Sequence, residues 1–198
     1  MTDKIKYKII DNFLSDSDFS ELTGNISPIP TGPSFPVAPS FGWDYTGNQV
    51  GGDEQDRFKK VTDIELLNPI NDWYLSHMLY LGFYQSQALR YLGTLLDKIN
   101  PLSLYKIQAN LTVQQEKRRR SLFHIDCSLA PSMITSIFYM NTTNGPTILE
   151  DGTEIECRAN RLVSYPYETY HAAVLCTDQP YRIVINFNYF KDKMNEIA

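Results

Sequence analysis

Cysteine is scarce: the 198-residue chain carries three, Cys127, Cys157 and Cys176, with no CxxC pair. They are too few and too scattered for a disulfide framework, so a reducing, cytoplasmic setting is expected. Long apolar runs are missing as well. No stretch approaches the roughly 18 apolar residues of a membrane span. The opening MTDKIKYKIIDNF lacks the apolar core and small-residue cleavage site of a secretory leader. Basic charge is not in excess. The net charge is −5, and a duplex-binding protein usually carries a basic surface, so nucleic acid is not the expected partner. Histidine is limited to His77, His124 and His171. The rest is ordinary for one folded domain over residues 1–198: 42% hydrophobic and 21% charged residues.

Up to residue 100 the pattern is mixed. IKYKII alternates as a short strand. FLSDSDFSELTGNI reads as a helix, capped by Ser15 with Asp18 three residues on and stopped by Gly24. Residues 25–42 hold five prolines, which exclude helix and central strand and leave a connecting loop or a lid. WDYTGN reads as a strand and turn. An irregular helix is expected around residues 68–80, with His77 as a packing or surface residue. The clearest helix is SQALRYLGTLLDKIN: Ser86 caps it, and Ala88, Leu89, Leu92, Leu95, Leu96 and Ile99 share one face.

After Pro101 the texture turns to short β-rich runs through residue 190: LSLYKIQANLTV, SLFHID, ITSIFYMN, PTILE, TEIEC, RLVSYP, HAAVL and YRIVINFNYF. Asn144-Gly145, Asp151-Gly152 and Pro166 read as turns, and ILEDGTEI as a hairpin. Many short strands with turns between them make a sandwich, jelly roll or small barrel. The first hundred residues would supply its helical cover. No internal repeat is visible.

FHIDCS, residues 123–128, carries the chemistry. On a strand His124 and Asp126 face one way, and Phe123 and Ile125 the other. The pair is either a hydrogen-bonded core pair or two ligands of one metal. His171 follows 47 residues later and would make the set two histidines and one carboxylate, the facial triad of non-haem Fe(II) sites. A closed zinc site wants a fourth ligand, and Cys127 would point away. In YRIVINFNYF, Arg182, Val184, Asn186 and Asn188 share one face, and Ile183, Ile185 and Phe187 the other. A buried guanidinium needs an anion, and a carboxylate suits it. That anion is either an internal Asp or Glu or a co-substrate. The basic run KRRRS, residues 117–121, is a solvated loop or an attractor of acidic groups.

HxD, a distal His and an Arg about ten residues beyond it resemble the signature of the 2-oxoglutarate and Fe(II)-dependent dioxygenases. FHIDCS, TSIFYMNTTNGPTILEDG, NRLVSYPYETYHAAVLCTDQPYRIVINFNYF and YKIIDNFLS look closest to the prolyl-4-hydroxylase-like branch, of a kind found in phage and marine bacteria. The resemblance implies a mainly β fold: a double-stranded β-helix (jelly-roll) core with helices packed on one sheet. It implies Fe(II) held by His124, Asp126 and His171, and 2-oxoglutarate bound through Arg182, with Tyr139, Asn186 and, more weakly, Asn110 and Tyr105 beside it. O2 would be the oxidant, succinate and CO2 the by-products, and an alcohol the product. The substrate is open; the branch points to a peptidyl proline or another protein residue. Tyr165, Tyr167 and Tyr170 either line a substrate groove or pack beneath the strand. The related alkylation-repair demethylases carry a second arginine where this chain has Asn188, which lowers the case for nucleic acid. The alternatives are a jelly roll that binds ligand or metal without catalysis and a structural protein whose His-Asp pair is a core network.

Overall fold

The computed structural model describes residues 5–26, 42–47, 58, 61–67, 73–126 and 132–191. Most of the proline-rich segment and Cys127 lie outside them. Among the described residues, eleven strands form two antiparallel sheets. The strands are β1 (Lys8–Ile10), β2 (Asp44–Gly47), β3 (Trp73–Leu81), β4 (Tyr84–Gln85), β5 (Ser103–Val113), β6 (Met133–Tyr139), β7 (Thr143–Leu149), β8 (Glu154–Cys157), β9 (Arg161–Pro166), β10 (His171–Ala173) and β11 (Tyr181–Phe190). The large sheet runs β1-β9-β6-β11-β5-β3-β2, with β4 on β3, and the small one runs β10-β7-β8. This is the jelly-roll layout expected, with its helices on one side of the large sheet.

The helices are α1 (Asp16–Ile26) and α2 (Gly93–Ile99), the latter preceded by a 3-10 segment, Gln87–Leu92. Ser15 Oγ accepts from Asp18 N–H at 3.2 Å, as a cap should. α1 does not stop at Gly24, however. Burial of Ile26 carries it one more half-turn, since a glycine costs a helix only about 1 kcal/mol. Ser86 caps the second helical stretch by accepting from Ala88 N–H. Ala88, Leu92, Leu95 and Ile99 are all buried against Ile107, Ala109 and Leu111 of β5 and Ile183, Ile185 and Phe187 of β11. The outward face of β11 is therefore the apolar one, which leaves its polar face inside the barrel.

Three other expectations fail for physical reasons. Residues 73–81 form a strand, not a helix. Leu75, His77 and Leu79 alternate toward the helices while Tyr74, Ser76 and Met78 face the other way, and pairing with β5 overrides a weak local helix signal. His77 is buried there, with Nδ1 2.8 Å from the Gly42 carbonyl and Nε2 2.7 Å from Ser86 Oγ. Asn144-Gly145 is no turn but part of β7. Gly145 is needed because a Cβ would strike the Val174 carbonyl oxygen and come within 3.3 Å of Arg182 Cδ. SLFHID is not a ladder strand; it reaches its neighbours through the isolated bridge His124↔His171 and the bond from the Ser121 N–H to the Ala173 carbonyl. The ILEDGTEI hairpin does form, with Gly152 at φ +86° in the turn between β7 and β8.

Candidate metal centre

His124 and His171 are brought together by backbone. The N–H of His124 donates to the His171 carbonyl at 3.0 Å, and the N–H of His171 donates back at 2.9 Å. The two rings then lie 4.5 Å apart, centre to centre. Nε2 of His124 is 3.7 Å, and Nε2 of His171 3.6 Å, from Oδ1 of Asp126. One donor atom from each of the three lies within 4.8 Å of the others. The remaining ring nitrogens are spoken for: Nδ1 of His124 is 3.0 Å from the Leu122 carbonyl, and Nδ1 of His171 is 3.3 Å from that of Thr169. A carbonyl only accepts, so Nδ1 carries the proton there and Nε2 keeps its lone pair.

Asp126 is held from behind by Asn188, whose Nδ2 donates to Oδ2 at 3.2 Å and to Thr135 Oγ1 at 3.0 Å. Burial and the neighbouring His171 pull His124 down to about 4, against the opposite pull of Asp126. Burial pushes Asp126 up, but the adjacent His171 and, after it, His124 outweigh burial and hold the carboxyl well below its usual range. At neutral pH His124 is therefore neutral and Asp126 ionised, the forms in which these groups bind metal.

Arg182 lies in the same cavity and is only 3% exposed. Its Nε donates to the Gly145 carbonyl at 2.9 Å and its Nη2 to Thr147 Oγ1 at 3.0 Å. Among the described residues no carboxylate pairs with it. Tyr139 stands one layer behind: its ring lies beneath the guanidinium, 5.6 Å from it, and its hydroxyl donates to Thr147 Oγ1 at 2.8 Å. Burial raises that hydroxyl to about 12, so it stays a donor. Asn110 and Asn186 both line the cavity, each with a buried Oδ1 that has no partner.

The cavity holds about 180 Å³ and is also lined by Lys106, Gln108, Thr112, Ile125, Ile137, Thr147 and Val184. Ile125 thus faces the cavity, contrary to strict alternation, because the segment around it is not a regular strand. Tyr105 is not among the lining residues. Tyr165 is fully buried beside His171, and Tyr170 packs on Phe58. Of the basic run, Arg118 and Arg119 reach Glu154 and Glu65, and Arg120 is buried over Phe123. Sequence reading missed Lys106, Gln108, Thr112 and Thr147. The alternation in YKIQANLT was the signal for the first three, while nothing local marks Thr147.

The donor set fits a divalent first-row metal: two imidazole nitrogens and one carboxylate oxygen converge, and the side facing the cavity is open. The unpaired guanidinium and the orphaned amide oxygens fit a polar ligand with a carboxylate.

No protein-family model matches the chain, and no curated protein matches it. Solved structures do. The epimerase SnoN of nogalamycin biosynthesis, in complex with Fe3+, alpha ketoglutarate and nogalamycin RO, aligns with a TM-score of 0.62 at 12% identity, over 94% of this chain and 79% of that one. An oxidoreductase of the 2OG-Fe(II) oxygenase family from Burkholderia pseudomallei aligns at 0.58 and 8% identity, over 97% and 89%. A prolyl hydroxylase from Trichoplax adhaerens, in complex with a hypoxia inducible factor peptide fragment, aligns at 0.55 and 15%, over 93% and 83%. The chain therefore shares the fold of solved 2-oxoglutarate and Fe(II)-dependent oxygenases, a prolyl hydroxylase among them.

Proposed function

We propose that this chain is an Fe(II)- and 2-oxoglutarate-dependent dioxygenase that hydroxylates a substrate C–H bond, with release of succinate and CO2. The observation that carries the proposal is one cavity holding both a His-Asp-His cluster and a buried guanidinium without a carboxylate. His124, Asp126 and His171 would hold the iron through Nε2, Oδ1 and Nε2. Arg182 would take the far carboxylate of 2-oxoglutarate. Thr147, fixed by Tyr139, would complete that end, and Asn110 and Asn186 would meet polar atoms along its length.

When bound, the iron supplies the redox chemistry that couples decarboxylation of the co-substrate to oxidation of the target by O2. The chain's own residues orient the parts. The Leu122 and Thr169 carbonyls hold the two Nδ1 protons and so aim both Nε2 atoms. Asn188 occupies Oδ2 of Asp126 and leaves Oδ1 for the metal. Ile125, Ile137 and Val184 make part of the wall apolar, which limits water around the reacting groups. For the substrate we favour a peptidyl proline or another protein residue. That choice is supported by likeness of fold to a prolyl hydroxylase bound to a peptide.

Thermal unfolding without oxygen tests the metal assignment. A metal bound only to the native state raises the melting temperature. Fe(II) is expected to raise it in the wild type and not in His171→Ala. An identical response in both, or none in either, would contradict the assignment.

A further inference from the structure

A row of polar side chains runs along β5, and the roles given to the metal ligands and to Arg182 leave its outer end unused. Lys106, Gln108, Asn110 and Thr112 all line the cavity, alternating with Ile107, Ala109 and Leu111, which pack toward the helices. Pairing with β11 fixes where each lies: Thr112 opposite Arg182, Asn110 opposite Val184, Gln108 opposite Asn186 and Lys106 opposite Asn188. Asn188 is the residue that holds Asp126. Lys106 is thus alongside the metal ligands, about 20 Å along the strand from Thr112. Thr112 and Arg182 are buried and Lys106 is half-buried, so the cavity closes at Arg182 and opens toward Lys106.

The Lys106 ammonium makes no hydrogen bond or ion pair with any described residue, and neither does the side-chain amide of Gln108, which is only 8% exposed. Among the described residues that line the cavity, Asp126 is the one carboxylate. A metal would claim that carboxylate. A recessed ammonium gives up part of its hydration, and only an opposite charge returns it. Arg182 already accounts for the far carboxylate of the co-substrate at the closed end, and the metal would take the carboxylate of its keto-acid end. The counter-charge at the open end is therefore left to the molecule that enters there.

We propose that Lys106, with Gln108 beside it, is an anion-recognising subsite that selects substrates carrying a carboxylate or phosphate group close to the C–H bond to be oxidised. This rests on reading the His-Asp-His cluster as the metal centre. It narrows the substrate class to molecules with an acidic group, an acidic peptide included.

The test uses the full chain loaded with Mn(II), a paramagnetic stand-in for iron, and with saturating 2-oxoglutarate. Inorganic phosphate is followed by phosphorus NMR relaxation and trifluoroacetate by fluorine NMR relaxation. We expect saturable enhancement for at least one probe, and the probe that responds tells phosphate from carboxylate. Lys106→Arg should keep it, and Lys106→Met should weaken probe binding about tenfold while still binding Mn(II) and 2-oxoglutarate. No saturable enhancement in the wild type, an unchanged response in Lys106→Met, or a loss of 2-oxoglutarate affinity in that variant would each overturn the subsite. Failure of the metal centre shows separately, as wild-type protein that does not bind Mn(II), and would take the subsite with it.

Discussion

Replacing Arg182 by methionine separates what the guanidinium does for the fold from what it does for a ligand. The side chain has five N–H donors. Two bonds are formed, to the Gly145 carbonyl and Thr147 Oγ1, and no described carboxylate offsets the charge. Burying an unpaired charge costs several kcal/mol. Hydrogen bonds from a charged donor return about 1.5–3 kcal/mol each, so the two terms nearly cancel. Methionine keeps the apolar stem and removes both. The ligand-free stability should therefore stay within about 1 kcal/mol of wild type, roughly 2–4 °C in melting temperature for a chain of this size. With 2-oxoglutarate at a hundredfold excess over its Kd, the metal-loaded wild type should gain about 2.7 kcal/mol, roughly 5–10 °C, and Arg182→Met nothing. Differential scanning fluorimetry with and without 2-oxoglutarate reads both. A ligand-free loss of about 3 kcal/mol or more, the cost of breaking a buried pair, joined to an unchanged response to 2-oxoglutarate, would refute the reasoning. Arg182 would then be a structural pillar.

Gly145→Ala drives a methyl into the Val174 carbonyl and toward Arg182 Cδ. Overpacking of this kind costs about 1–3 kcal/mol, and 2-oxoglutarate affinity should fall with stability; a variant normal in both contradicts the close-approach role. Asn188→Ala frees Oδ2 of Asp126 and should weaken Mn(II) binding about 10- to 100-fold in an EPR titration, with unchanged affinity as the refuting result. Asp11 accepts from Arg161 Nε and Nη2, and that hydrogen-bonded pairing holds its carboxyl below the ordinary value. A depressed carboxyl stabilises above its unfolded pKa of about 3.9 and loses that contribution as pH falls through the folded value. Asp11→Asn should therefore cost up to about 1 kcal/mol at neutral pH, since the acid is half exposed. The difference from wild type should shrink below about pH 4; a difference that grows in acid would reverse the sign.

Much of this was legible in the sequence, and the reasons are specific. The two-faced pattern of YRIVINFNYF identified both the helix-side core of Ile183, Ile185 and Phe187 and the inward-facing Arg182 and Asn186, because a central strand with opposed faces has one register that buries the apolar set. The HxD spacing identified His124 and Asp126. Their meeting with His171 depends on a backbone bridge between segments 47 residues apart, which no local signal encodes. Around residues 68–80 the sequence reads as an irregular helix because aromatic and leucine positions fit both periods over a short window, and pairing with β5 decides for the strand Trp73–Leu81. Tyr139, expected at the co-substrate, donates its hydroxyl to Thr147, a partner from the other sheet that no local signal marks.

The central claim is that one cavity binds iron and 2-oxoglutarate together. Fe(II) and then 2-oxoglutarate, added to the purified protein without oxygen, test it in one visible spectrum. Chelation of Fe(II) by the keto acid gives a weak metal-to-ligand charge-transfer band. We predict that the band forms with wild-type protein and is absent in His124→Ala. Iron bound without the band, or a band that persists in His124→Ala, would contradict the account.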